Sequence, residues 1–183
     1  VVGKFSTIEV LDSTRDMVGI AYYNETNGTL RYAEQVSGGG NCTSSNFNCL
    51  NIDTIGAGLH QLGLSMAIDK QHRPIIAYMD ASNEFVASKL KIARPALAYN
   101  KEVGTCGDVP AGAIGPVWIC SVLDEGFADV IYEAAFVDVD VAESGLASAA
   151  YFQWDSYNLE GQLKVAKQHF QVGVPLIIDR TSY

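Results

Sequence analysis

The sequence predicts an all-β fold built from three copies of one four-stranded unit. Three observations carry this: a set of short motifs recurs three times in the same order, the segments between turns run to only about 4–7 residues, and those segments are rich in Val, Ile, Tyr and Phe. Segments this short suit strands and not helices.

Each unit opens on an alternating run that ends in Asp. The copies are Ile8-Glu9-Val10-Leu11-Asp12, Ser65-Met66-Ala67-Ile68-Asp69 and Phe136-Val137-Asp138-Val139-Asp140. The second segment is apolar-Ala-Tyr-bulky: Ile20-Ala21-Tyr22-Tyr23-Asn24, Ile76-Ala77-Tyr78-Met79-Asp80 and Ala149-Ala150-Tyr151-Phe152-Gln153. The third is Leu-basic-apolar-Ala: Leu30-Arg31-Tyr32-Ala33, Leu90-Lys91-Ile92-Ala93 and Leu163-Lys164-Val165-Ala166. The fourth ends in apolar-Asp. It reads Phe47-Asn48-Cys49-Leu50-Asn51-Ile52-Asp53, Trp118-Ile119-Cys120-Ser121-Val122-Leu123-Asp124 and, without the aromatic and the Cys, Val174-Pro175-Leu176-Ile177-Ile178-Asp179. Turn chemistry separates the segments, at Asn27-Gly28, Gly38-Gly39-Gly40, Glu143-Ser144-Gly145 and Glu160-Gly161. Four antiparallel strands per repeat is the layout of a propeller blade, so the predicted fold is β-propeller-like with three four-stranded blades, at about residues 5–53, 64–124 and 133–179 of a single domain spanning 1–183. Extra length falls in the loops 95–116 and 154–161.

The order of these submotifs resembles the repeats of secreted bacterial, archaeal and fungal β-propellers, and the resemblance covers roughly residues 5–179. Taken alone, the four cysteines allow three pairings. The resemblance implies Cys42–Cys49 and Cys106–Cys120, each closing a small loop within one blade, where a bridge fixes loop shape more than it adds stability.

The chain has 183 residues, 48% of them hydrophobic and 18% charged, which is a globular composition. Its net charge of −9 repels a phosphate backbone, so nucleic acid is not an expected partner. No apolar run reaches the roughly 18 residues of a membrane helix. The chain starts at Val1 without a signal-like apolar region and reads as a processed chain or a cut fragment. Sequons at Asn24, Asn27 and Asn41 cluster in turns beside the paired cysteines, which points to a glycosylated, secreted protein.

Three blades leave two open apolar faces, and propellers close with roughly 4–8 blades. The expected partners are therefore other copies of the chain, giving a six-bladed ring from two chains or a fibre through strand addition, or the remainder of a longer chain. A non-propeller sandwich is the alternative architecture.

Little in the sequence spells out chemistry. His60, His72 and His169 lack partners at metal-ligand spacing, and neither a metal nor a cofactor is expected. His72 reads as a solvated turn residue, and His60 lies in the inter-blade loop class that lines ligand faces of propellers. Asp138-Val139-Asp140 reads as strand alternation rather than a calcium loop. The turns after the second strands mix polar and aromatic residues: Asn24 with Glu25, Asp80 with Asn83, and Trp154, Asp155 and Tyr157. Sugar recognition uses such a mixture, an aromatic face for ring C–H groups and Asp or Asn for hydroxyls. The recurring Tyr22, Tyr78 and Tyr151 suit packing between blades better than ligand contact. The expected function is thus an extracellular, non-enzymatic, lectin-like binding module acting as a closed oligomer. A structural subunit of an extracellular filament or coat and a glycan-cleaving propeller enzyme are the alternatives, the last without an assignable carboxylate set.

Overall fold

The computed structural model describes residues 2–43, 45–56, 63–80, 89–97, 102–125, 136–155, 160–169 and 177–182. Among these the chain is all-β. The first sheet comprises β1 (Val2–Asp12), β2 (Met17–Asn24), β3 (Thr29–Gln35) and β4 (Phe47–Thr54). The second comprises β5 (Leu64–Ile68), β6 (Pro74–Asp80), β7 (Lys89–Pro95) and β8 (Trp118–Asp124). The third comprises β9 (Val137–Val141), β10 (Ala147–Asp155), β11 (Glu160–His169) and β12 (Ile177–Ser182). Each sheet is an antiparallel meander whose strands lie side by side in chain order.

The motif copies fall at equivalent register positions. Ile20 pairs with Ala33, Ile76 with Ala93 and Ala149 with Ala166; Tyr22 faces Arg31, Tyr78 faces Lys91 and Tyr151 faces Lys164. The same bulge interrupts β4 and β8, setting Asp53 opposite Leu30 and Asp124 opposite Leu90. The third sheet departs from this at its last strand. Asp179, which the sequence aligns with Asp53 and Asp124, pairs with Lys167 in β11, four residues from the position opposite Leu163. The loop 154–161 is also shorter than the motif spacing implies, because β10 runs on through Trp154 and Asp155 and pairs with β11 up to Asp155–Glu160.

The sheets stack face on face. β5 packs on β1 and β2, and β9 packs on β5 and β6, so the first strand of each sheet sits at the inner line of the stack. The first and third sheets make no comparable contact among the described residues, and the stack does not close on itself. β6, inside the middle sheet, is buried along its whole length, as a strand covered on both faces must be. β9 alternates as its sequence predicts, with Val137 and Val139 buried and Asp138 and Asp140 exposed.

One core runs through both joints. Between the first and second sheets, Ala21, Tyr23, Leu30, Tyr32 and Ile52 meet Met66, Ile76, Tyr78 and Trp118, with Tyr32 edge-on to Trp118 at 5.2 Å between centroids. Edge-to-face geometry places the positive ring edge on the negative face of its neighbour. The second joint is tighter at Gly63, where an added Cβ would come within 2.4 Å of Val137 Cγ2. The turn Asn27-Gly28 uses a positive φ of 62° at Gly28, a conformation glycine adopts without steric cost.

The loop between β7 and β8 straps the second sheet to the first. Asp108 accepts hydrogen bonds from Asn51 N at 2.9 Å and from Asn51 Nδ2 at 3.1 Å, while Asp108 N donates to Asn51 O at 2.9 Å. The disulfide Cys106–Cys120 ties the strap to β8, and Cys42–Cys49 ties the preceding loop to β4 in the first sheet. Both local pairings that the sequence resemblance implies are therefore formed.

Removing the Trp118 ring should cost about 3–5 kcal/mol, because the cavity opens inside the joint. Chemical denaturation of Trp118→Ala should show a lowered midpoint, whereas Ile114→Ala, at a fully exposed residue, should leave it in place.

Candidate functional site

The polar side chains that the repeat brings together lie at the joints between sheets. At the first joint, Asp53 at the end of β4 accepts a hydrogen bond from Tyr78 Oη at 2.7 Å and from Lys91 Nζ at 2.8 Å, both from the second sheet. Lys91 also reaches Asp80 at 2.6 Å. At the second joint, Asp124 accepts from Tyr151 Oη, with Lys164 Nζ at 3.8 Å. One rule builds both joints: the Asp that ends one sheet's last strand docks on the Tyr and the basic residue paired across the second and third strands of the next.

Burial and charge tune these groups. Burial, reinforced by the Asp53 carboxylate, pushes the Tyr78 hydroxyl far above the usual tyrosine range, so it stays protonated and donates. Burial alone would lower Lys91, yet its bonds to Asp53 and Asp80 raise it above 10.5, so the ammonium remains charged between two carboxylates. Both carboxylates are spent on that ammonium. The arrangement does not leave a paired acid and base free for glycoside cleavage, which needs one carboxyl to give up a proton.

A cleft of about 490 Å³ opens between the second and third sheets. Ile75, Ile92 and Ile119 supply apolar surface, and Arg73 and Arg94 supply charge. Both guanidiniums are neutralised from within: Arg73 by Asp69 at 2.5 Å, Arg94 by Glu102 at 2.7 Å. Glu102 lies below the usual carboxylate range chiefly because of its Arg94 hydrogen bonds. Asp69 is buried, which works to raise it, but Arg73 together with the backbone N–H groups of Arg73 and Gln71 holds it below its ordinary value. Among the described residues, no aromatic ring lines this cleft.

Of the sequence-predicted ligand residues, Asp80, Trp154 and Asp155 lie among the described residues. Asp80 lies inside β6, is only 6% exposed and pairs with Lys91, so it is a joint residue and not a displayed turn residue. Trp154 and Asp155 are adjacent at the end of β10. His60, Asn83 and Tyr157 lie outside the described residues. His72 does more than a solvated turn residue, since its Nδ1 lies 2.6 Å from Leu11 O in the first sheet.

The three sequons differ. Asn24 is buried at the end of β2, against the expectation of a glycan there, whereas Asn27 and Asn41 are exposed. Asn41 is also clamped to the disulfide, its Oδ1 accepting from Cys49 N and its Nδ2 donating to Cys49 O.

Sequence reasoning missed Asp53, Asp124, Lys91 and Lys164 as interacting groups. The signal was present as a basic residue recurring directly across from a recurring Tyr.

Substituting Lys91 by Met leaves Asp53 and Asp80 facing each other without a cation, which should cost about 3 kcal/mol in urea denaturation. Acid should act separately. Asp69 and Glu102 have folded values held below 3.8 and 4.5, so their stabilisation is complete above those values and is lost as pH falls through the lowered ones. The melting temperature should be level from neutral pH to about pH 5 and fall below about pH 4, with a shallower fall in Glu102→Gln.

No protein-family model matches this chain, and no curated protein matches it.

Proposed function

We propose that the three sheets are propeller-type blades, and that the chain acts outside the cell as a non-enzymatic binding module whose ends are closed by another copy of itself. The observation that carries this reading is apolar exposure on the outer strand faces of the first and third sheets. Ile8, on the outer face of the first sheet, is 60% exposed, and Leu163, on the outer face of the third, is 52% exposed. Exposed apolar area of this kind marks an interaction surface. Two chains bring six sheets together, within the roughly 4–8 that close a ring.

Two disulfides favour an oxidising, extracellular setting. The non-enzymatic reading is favoured by the carboxylates at the joints, which are spent on Tyr and Lys partners. Carbohydrate is the ligand class proposed for the rim, through Trp154 and Asp155 at the end of β10. A glycan array tests this: wild-type protein should retain a defined set of glycans, and Trp154→Ala should lose them.

Light scattering across a concentration series tests the assembly. The wild-type chain should run at twice the one-chain mass, and a single-chain mass at every concentration would remove the proposal. Mass growing without limit would favour the filament reading. In protein secreted from a glycosylating host, Asn27→Gln and Asn41→Gln should each reduce the mass, and Asn24→Gln should not.

A further inference from the structure

Resting on that assembly, we infer that a second copy docks head to tail, laying the outer face of its third sheet on the outer face of the first sheet, and that it brings a carboxylate to Tyr22 and Arg31.

The face that each sheet turns toward the preceding one carries the positions of Ile8, Ile20 and Tyr22. In the second sheet these are Met66, Ile76 and Tyr78, and in the third they are Val139, Ala149 and Tyr151. All six are buried, at 6% exposure or less. In the first sheet, where no sheet precedes, Ile8 is open and Ile20 and Tyr22 are half-buried. The opposite face behaves in mirror fashion. Leu30 and Leu90 are each 1% exposed, while their counterpart Leu163 is open and Phe152 and Val165 beside it are only half-buried. In their apolar positions the two ends are therefore the two halves of a joint the chain already makes twice, with different residues on each half; only the last strand departs, with Asp179 paired to Lys167. Such a pair of surfaces is complementary only when one copy's end meets the other copy's opposite end, which is a heterologous contact.

The polar seat repeats as well. Tyr22 and Arg31 occupy the positions of Tyr78 with Lys91 and of Tyr151 with Lys164. In those two sheets the pair holds Asp53 or Asp124 of the preceding sheet. In the first sheet the Arg31 guanidinium lies 5.8 Å from the centroid of the Tyr22 ring, and its Nε is buried without a hydrogen-bond partner. Asn24 stands where Asp80 supplies Lys91 with a carboxylate from its own sheet, and its Oδ1 is likewise buried without a partner. A neutral residue thus replaces the internal counter-ion, and covering this face would leave Arg31 charged and dry unless the incoming copy provides an anion.

Two substitutions at exposed residues separate the geometry from the assembly itself. Ile8→Asp damages only the receiving end and Leu163→Asp only the delivering end. Each variant alone should run at one-chain mass in analytical ultracentrifugation. An equimolar mixture should recover the two-chain species through its one intact pair of ends. If Leu163→Asp alone still pairs, the contact joins like faces and the inference is overturned. It is equally overturned if the mixture stays single while wild type pairs. A wild-type chain that never pairs overturns the proposed assembly along with it. For the seat, Arg31→Met should weaken self-association at least tenfold, and Arg31→Lys, the residue type of the other two sheets, should restore most of it. Equal dissociation constants for wild type and Arg31→Met would overturn the carboxylate contact.

Discussion

Every sheet in this chain depends on a neighbour lying against its face. A four-stranded meander with apolar residues on both faces cannot bury them within itself, and β6 is the extreme case, covered from end to end by the sheets on either side. The packing of one sheet on the next is thus the constraint from which the rest follows. It fixes where a residue must be small, as at Gly63 beneath Val137, and where an aromatic can enter, as Trp118 does against Tyr32. Apolar packing alone allows two sheets to slide or rotate over one another. The buried Asp–Tyr–Lys contacts oppose this, because Asp53 can meet Tyr78 Oη and Lys91 Nζ in only one register. Such buried charges add little net stability when fully paired, and their best-attested use is to specify an arrangement.

The sheets themselves were legible in the sequence because a strand is a local object. The alternation of Val137-Asp138-Val139-Asp140 states which side faces the core, and Asn27-Gly28 states where the hairpin turns. The joints were not legible, because they pair residues from different repeats: Tyr78 meets an Asp 25 positions before it, and Lys91 one 38 positions before it. Periodicity within a strand can tell that Tyr78 is buried but not what its hydroxyl finds there. Asp80 shows the same limit from the other side. An Asp at the end of an apolar run reads as the start of a turn, and only the cross-strand proximity of Lys91 draws it inside. Asp179 fails differently. Its apolar-Asp ending matches the other copies, yet the residues that would anchor the match, an aromatic and a disulfide Cys, are missing from that strand. β12 pairs instead in a shifted register.

The strap between β7 and β8 shows how the repeat tolerates unequal loops. Its length is extra relative to the first sheet, but Asp108 uses that length to satisfy the backbone and side chain of Asn51 in the outermost strand of the neighbouring sheet. An outermost strand offers unpaired N–H and C=O groups, and a loop that caps them blunts the edge. The disulfide Cys106–Cys120 holds the strap where it can do this. The bridge spans a sequence separation of 14, so it limits the unfolded chain by about 3 kcal/mol and also fixes the loop over the joint that it covers.

Repetition also dictates what the ends of the chain can do. The step from the first sheet to the second and the step from the second to the third use the same faces and equivalent Asp, Tyr and Lys positions. An interface of this kind is heterologous within the chain before any partner arrives. Continuing it can only close a ring or run on as a helix, because a head-to-tail contact has no third outcome. Which of the two occurs is set by the angle between successive sheets, and sheet twist gives that angle one hand. Residues packed into the joints include Gly63 against Val137 at the second and Tyr32 against Trp118 at the first. Binding in such an assembly would gain from several copies of one rim held at fixed spacing, through effective concentration and without any stronger single contact. The side chains that matter most to the function would then be those at the joints, although none of them need touch a ligand.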